Sequence, residues 1–172
     1  MRELSGVRRR SFLAAGIAVA LHSGCGYTIR QQYDKSIRTV YVPIFRSISF
    51  RRDVNIQLTN LVIIEIEKRT PYKVVGSQTG ADTILDGTIN FADKNLIVEN
   101  PFNMPRQIVA MLNVAVNWTR NPPTQDDLDR GPTTIAENMN FIPEIGETSE
   151  TAFYRTNQAL AKQVVDMMEK AW

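Results

Sequence analysis

Histidine and cysteine each occur once in these 172 residues, as His22 and Cys25. Beyond residue 25 there is neither an imidazole nor a thiol. That excludes from the body of the chain Ser-His-Asp and Cys-His catalysis and the usual zinc sites, all of which need those groups for proton transfer or soft ligation. A long hydrophobic run is also missing. The apolar stretch at residues 12–21 holds only ten residues, whereas a bilayer core of about 30 Å needs about 20 in a helix. There is no internal repeat and no low-complexity tract.

What the N-terminus does contain is a three-part secretory layout. Arg8, Arg9 and Arg10 precede the apolar stretch, and the small residues Ser23 and Gly24 follow it, with Cys25 next. A cysteine directly after small residues is where lipoprotein signals are cut, once its sulfur has received a diacylglyceryl group. The expectation is a signal peptide at residues 1–24, with Cys25 as the acylated first residue of the mature protein. His22 stands three residues before the cysteine where lipoboxes usually carry leucine, and Leu21 lies one step earlier. Residues 9–13 (RRSFL) also resemble a twin-arginine export signal, with Ala14 in place of the usual lysine.

The leader accounts for the basic balance. The whole chain is formally +2, but Arg2, Arg8, Arg9 and Arg10 against Glu3 leave residues 25–172 with a net charge of −1. A nucleic-acid binder keeps its excess of Lys and Arg in the folded part, so no nucleic-acid partner is expected. Cleavage leaves 148 residues, enough for one domain with a real core.

Along that domain, residues 26–36 are polar and read as part of a tether at 25–36. Residues 37–45 (IRTVYVPIF) predict a strand with Val40, Val42 and Ile44 on one face and Thr39, Tyr41 and Phe45 on the other. Residues 46–52 predict a basic loop, and Asp53 an N-cap for a helix over 54–68. The run LVIIEI favours strand locally, but Lys68, Arg69 and Pro71 close it as a helix. Residues 72–76 and 83–98 predict strands, the second with Leu85, Gly87, Ile89 and Phe91 on one face and a bend at Ala92 and Asp93. Residues 100–105 form a turn with apolar tips. Beyond it, Ile108, Ala110, Leu112, Val114, Val116 and Trp118 alternate strictly with more polar residues. A Pro-Asp loop at 121–132, a strand at 133–141 and a helix striped by Phe153, Asn157, Leu160, Ala161, Val164 and Met168 complete the chain. Asp127, Asp129 and Gly131 only faintly suggest a calcium loop, because Asn138 stands where its closing glutamate belongs. No metal site is expected. The predicted class is α/β (α+β): a single mixed sheet of four to five strands, two helices packed on one face, and the other face left for solvent or a partner.

Cys25, Gly26 and Tyr27, the strand at 40–45 (VYVPIF), the helix after it and residues 81–89 (ADTILDGTI) together resemble the LPS-assembly lipoprotein family (LptE). The resemblance covers about residues 25–91 by motif and the rest by element order. It implies an outer-membrane, periplasm-facing lipoprotein that plugs a large β-barrel translocon and assists its assembly and lipopolysaccharide transport. The implied membrane attachment is the covalent lipid on Cys25, with no other cofactor and no catalytic residue. Direct contact with lipopolysaccharide phosphates would call for Lys or Arg. Lys94 and Arg106, flanking the hairpin turn, and Arg120, ending the alternating strand, are the candidates. Arg46, Arg51 and Arg52 form a second basic group ahead of a helix.

Two other readings fit the same residues. One is a different envelope lipoprotein, a curli-secretion-type pore subunit or an assembly factor. The other is a carboxylate-based glycan hydrolase using Asp82, Asp86 and Asp93. Strand parity puts Asp93 on the opposite face from the other two.

Overall fold

The computed structural model describes residues 33–49, 51–99, 101–102 and 105–169. The expected leader, Cys25 and the tether as far as residue 32 lie outside the described residues. Residues 33–36, expected to be tether, belong to the body instead. The Tyr33 hydroxyl lies 2.9 Å from the Arg69 carbonyl and 3.0 Å from the Glu169 carboxylate, and its ring meets Tyr72 edge-on with centroids 5.8 Å apart.

The strands are β1 (Thr39–Tyr41), β2 (Arg46–Ser47), β3 (Lys73–Val75), β4 (Thr83–Glu99), β5 (Pro105–Arg120) and β6 (Thr133–Phe141). The helices are α1 (Arg52–Arg69), α2 (Gln125–Arg130) and α3 (Ser149–Met168), with a 3₁₀ turn at Pro143–Ile145. One mixed sheet runs β3-β1-β4-β5-β6, and β2 pairs with β4 off that path. The β1–β3, β1–β4 and β2–β4 pairs are parallel, and the long β4–β5 and β5–β6 pairs antiparallel. The class is therefore as expected, but among the described residues six strands replace four to five and a third, short helix is present.

The extra strand comes from Pro43. Lacking an amide, proline ends ladder pairing, so the expected strand over 37–45 stops at Tyr41 and pairing resumes only at Arg46. The break also shifts the phase. Val40 and Val42 face the core, but Phe45 is buried where Ile44 was expected, and Ile44 is 65% exposed. Residues 46–47 are thus strand rather than basic loop. Helix α1 begins one residue before Asp53, which lies in its first turn, and the N-cap residue Arg51 offers no side-chain cap.

Helix wins over strand at 61–66 because Val54, Leu58, Val62 and Ile66 form one buried stripe against the sheet and α3. Helix α3 opens on Thr148, whose hydroxyl accepts the Thr151 amide at 3.2 Å. Its expected stripe is buried, including Asn157, whose Nδ2 donates to Gln57 of α1 at 2.7 Å. The expected Pro-Asp loop contains α2, closed by a capping box between Thr124 and Asp127.

Strand β4 carries a bulge between Ile89 and Phe91. An inserted residue turns every later side chain to the other face, so Ala92 enters the core and Phe91, expected inside, is 45% exposed. In β5 the strict alternation holds, with Ala110, Leu112, Val114 and Val116 buried.

Gly87 shows why β4 carries a glycine. A Cβ there would stand 2.7 Å from Cε2 of Phe45, inside van der Waals contact with a ring that is 1% exposed. We expect Gly87→Val to lower unfolding stability by about 2 kcal/mol, the usual scale of overpacking. Adding Phe45→Leu should recover part of that loss, because the two side chains share one space. Urea denaturation of the single and double variants is the measurement, and an unchanged midpoint in Gly87→Val would show that the ring moves aside freely.

Candidate functional site

Helices α1 and α3 cover only part of the sheet. Past Ala92 and Ala110 every described residue of β4 is exposed, so the far half of the β4–β5 hairpin stands clear of the helices. Leu96, Ile97 and Val98 are 45%, 51% and 40% exposed, and Phe102 in the turn is 85% exposed. Three consecutive apolar residues cannot alternate, and the register shift between Leu96 and Val98 spreads them over both faces. Ile142 and Ile145 add exposed apolar surface beside the hairpin. The sequence signal for this cluster was the break in alternation at residues 96–98, which the expectation of apolar tips at 100–105 touched only at Phe102.

Lys94 and Arg106 both fall on this hairpin. Lys94 pairs with Ala110, and Arg106 lies four residues before Ala110 on the same strand face, about 13 Å away along β5. Both are exposed. Arg106 Nε approaches Glu144 at 3.7 Å in an ion pair open to water, worth well under about 1 kcal/mol. Arg120 does not join them. Fourteen residues separate it from Arg106 along β5, roughly 45 Å, and it sits at the opposite end of the sheet, 3.9 Å from Asp34. The three expected cations thus form one pair and one outlier.

The second basic group also separates. Arg46 pairs with Thr88 on the open sheet face, while the Arg51 guanidinium stacks over the Phe153 ring at 4.5 Å. Arg51 lines a cleft of about 640 Å³ between the first turns of α1 and α3, but Asp53 and Glu150 line it too. Those carboxylates compete with any anion for the helix amides.

The three aspartates of the hydrolase reading are apart as well. The bulge at Asn90 brings Asp93 onto the same face as Asp86, contrary to simple parity. Their partners Met111 and Asn117 nevertheless lie six residues apart, about 20 Å along the strand, whereas acid and base carboxylates work at about 5–9.5 Å. Asp82 is occupied: its Oδ2 accepts the amides of Arg38 at 2.8 Å and Thr39 at 2.9 Å, tying β1 to β4. Asp127 is likewise committed, accepting the Thr124 amide at 3.0 Å and its hydroxyl at 2.6 Å. The open sheet face is mostly small and amide-bearing, with Asn113, Ala115 and Asn117 of β5 beside Thr134, Ala136 and Asn138 of β6. Asn90 donates to Asn113 there at 3.2 Å.

No helix among the described residues is long and apolar enough to cross a membrane. No protein family and no curated protein matches the sequence. Solved structures do match in fold. Lipoprotein B from Nitrosomonas europaea is 13% identical, with a TM-score of 0.55 over 84% of this chain and 90% of its own. A hypothetical protein from Chlamydia trachomatis is 7% identical, with a TM-score of 0.52 over 77% of this chain and 96% of its own. PelC from Paraburkholderia phytofirmans, a dodecamer, is 8% identical, with a TM-score of 0.51 over 80% of this chain and 92% of its own. At such identities the likeness establishes a shared α/β fold.

The amides bonded to Asp82 hold its carboxyl below the ordinary range. A depressed folded pKa adds stability that is complete above the ordinary carboxylate pKa and is lost as pH falls through the lowered one. Asp82→Asn should therefore cost about 1 kcal/mol at neutral pH, the small value reflecting its exposure, and flatten the loss of stability in acid. Denaturation midpoints from neutral pH down to pH 3 test both parts, and parallel curves for the two proteins would contradict them.

Proposed function

We propose that this chain is a lipid-anchored envelope lipoprotein, held by an acylated Cys25 at the periplasmic face of the outer membrane, that works by contact rather than by covalent chemistry. Its partner in this reading is a large outer-membrane β-barrel that translocates lipopolysaccharide, whose assembly and transport it assists. The observation that carries the reading is the two-ended build of the body. The chain coming from Cys25 enters at Tyr33, beside the last turns of α1 and α3. The bare hairpin, with Lys94, Arg106 and its apolar tip, projects from the opposite end of the sheet.

The leader pattern, the resemblance carried by Cys25, Gly26 and Tyr27 and by residues 40–45 and 81–89, and the fold shared with a lipoprotein from Nitrosomonas europaea support it. The dispersed and occupied aspartates speak for binding over hydrolysis. One observation favours a second reading, self-assembly into a ring. PelC, of similar fold, is a dodecamer, and among the described residues β3 and β6 stand at the two ends of the sheet with no further strand beside them.

Cys25→Ala should give a folded protein that no longer fractionates with membranes. Membrane fractions probed for the protein test this, and unchanged association would remove the lipid anchor. Pull-down of the acylated protein separates the partners: a stoichiometric β-barrel supports the first reading and a homo-oligomer the second. Lys94→Glu with Arg106→Glu should weaken lipopolysaccharide binding about tenfold, the loss of two charge-assisted contacts, with no fall in melting temperature. Unaltered affinity in a direct titration would dismiss the pair.

A further inference from the structure

The free edges of the sheet are not built alike. Unpaired backbone groups along an edge recruit other strands, and proteins ordinarily blunt them with short length, charge, proline or bulges. Strand β3 is blunted, being three residues long and opening on the exposed Lys73. The far part of β4, beyond its pairing with β2, is blunted too. It carries register shifts between Leu96 and Val98 and between Val98 and Glu99, together with the exposed charges Asp93, Lys94 and Glu99.

Strand β6 has none of these devices. It runs nine residues, bounded by Pro132 and Pro143, and holds no proline, glycine, lysine or arginine. Its pairing with β5 is unbroken from Thr133 to Phe141, so no bulge turns its outer edge away. Among the described residues no backbone hydrogen bond other than that ladder reaches β6. Ile135, Glu137 and Met139 pair with the buried Val114, Leu112 and Ala110 and so lie on the helix-covered face. There the Glu137 carboxylate, the one charge of the strand, accepts Nε2 of Gln163 from α3. On the open face Thr134, Ala136, Asn138 and Asn140 are all exposed.

We propose that the β6 edge joins the β6 edge of a second copy of this chain, antiparallel, about a two-fold axis perpendicular to the sheet. The side chains of the strand point to that occupant. Directly opposite residues of an antiparallel pair share a face, so a symmetric pairing of β6 with itself centres on a residue. Centred on Glu137, it sets two carboxylates against each other, which is unfavourable. Centred on Ala136, it sets Thr134 against Asn138 and Glu137 against Ile135. Centred on Asn138, it sets Ala136 against Asn140 and Glu137 against Met139. Either of these last two brings small or amide side chains together on the open face and keeps the carboxylates apart. Helix α3 packs on β5 and β6, so the α3 helices of the two copies flank the joint on one side. Pairing along residues 133–139 or 135–141 is small for an interface, below about 1,200 Å² in total, and belongs with weak, reversible contacts. Because β3 is blunted, each copy offers one such edge and the assembly closes at two. A ring needs two different, complementary patches on each copy, so the pair goes beyond the proposed function and departs from its second reading.

The test uses the mature chain, residues 25–172, with Cys25→Ala, which retains every residue of the buried core from Ile37 to Met168 and leaves no cysteine. In sedimentation equilibrium we expect the average mass to rise with concentration from that of one copy to that of two, and to stop there. Ala136→Lys with Asn138→Lys should hold the protein at one copy over the same range at an unchanged melting temperature, whereas Lys73→Glu on the β3 edge should leave the pairing intact. On mild oxidation Ala136→Cys or Asn138→Cys should link two copies, and Lys73→Cys should not. The cysteine variants keep the test decisive should the double lysine variant misfold. One copy at every concentration, pairing indifferent to the β6 lysines, or growth past two copies would overturn the inference. So would linkage of the β6 cysteine to a different chain in isolated envelopes. The anchor and the hairpin take no part in the mass measurement, so its failure leaves the proposed function standing, and a bare Cys25 sulfur in the native protein leaves the pairing standing.

Discussion

The fold turns on the packing of one aromatic ring against one missing side chain. Phe45 lies in the short link between Pro43 and β2, and its ring fills the space above Gly87 in β4. The same residue is held on both sides of its backbone by α1: its amide donates to Thr59 Oγ1 at 3.0 Å, and its carbonyl accepts Asn55 Nδ2 at 2.9 Å. Thr59 Oγ1 in turn donates to the Asn55 carbonyl at 2.7 Å. These polar contacts lie in or beside the core, where an unmade hydrogen bond costs more than a made one contributes. The first helix therefore cannot slide along the sheet without opening them, and the register of β2 on β4 follows from the position of the ring.

That constraint explains which parts of the architecture were legible in the sequence. The glycine in β4 could be read as a place where a bulky group approaches, because a glycine inside a strand is costly without such a reason. Its partner could not, since Pro43 breaks the alternation and no local pattern says whether Ile44 or Phe45 will turn inward. Strand β5 was legible throughout, because one face of it is covered for most of its length and alternation is the direct record of that cover. Strand β4 was legible only as far as Ile89. Past it the bulge reverses parity, which put Phe91 on the wrong face and split Asp93 from Asp86 when they share one. A single inserted residue leaves no compositional trace, so strand periodicity could not have found it.

The candidate site was legible in its pieces and not in its arrangement. Lys94 and Arg106 were placed together because a turn of six residues joins the strands that carry them, and adjacency across a hairpin follows from sequence. Arg120 was grouped with them by charge alone, and strand length separates it by most of the sheet. The three carboxylates on Arg69 come from α1 and from the end of α3, and only the joint ending of those helices brings them together.

The distribution of charge and cover gives the molecule a direction. Acids that might have formed a reactive cleft are spent on structure: Asp82 closes the start of β1, Asp127 caps α2, and Asp166 and Glu169 bind Arg69 and Tyr33. What remains unspent is apolar surface at the hairpin tip. Leu96, Ile97, Val98 and Phe102 are apolar surface left uncovered by the helices, of the kind that marks a place where another molecule can pack. The long pairing of β4 with β5, bulge included, carries that tip away from the end at which Tyr33 meets α1 and α3. Whatever fixes the body at Tyr33 therefore also fixes where its hairpin stands.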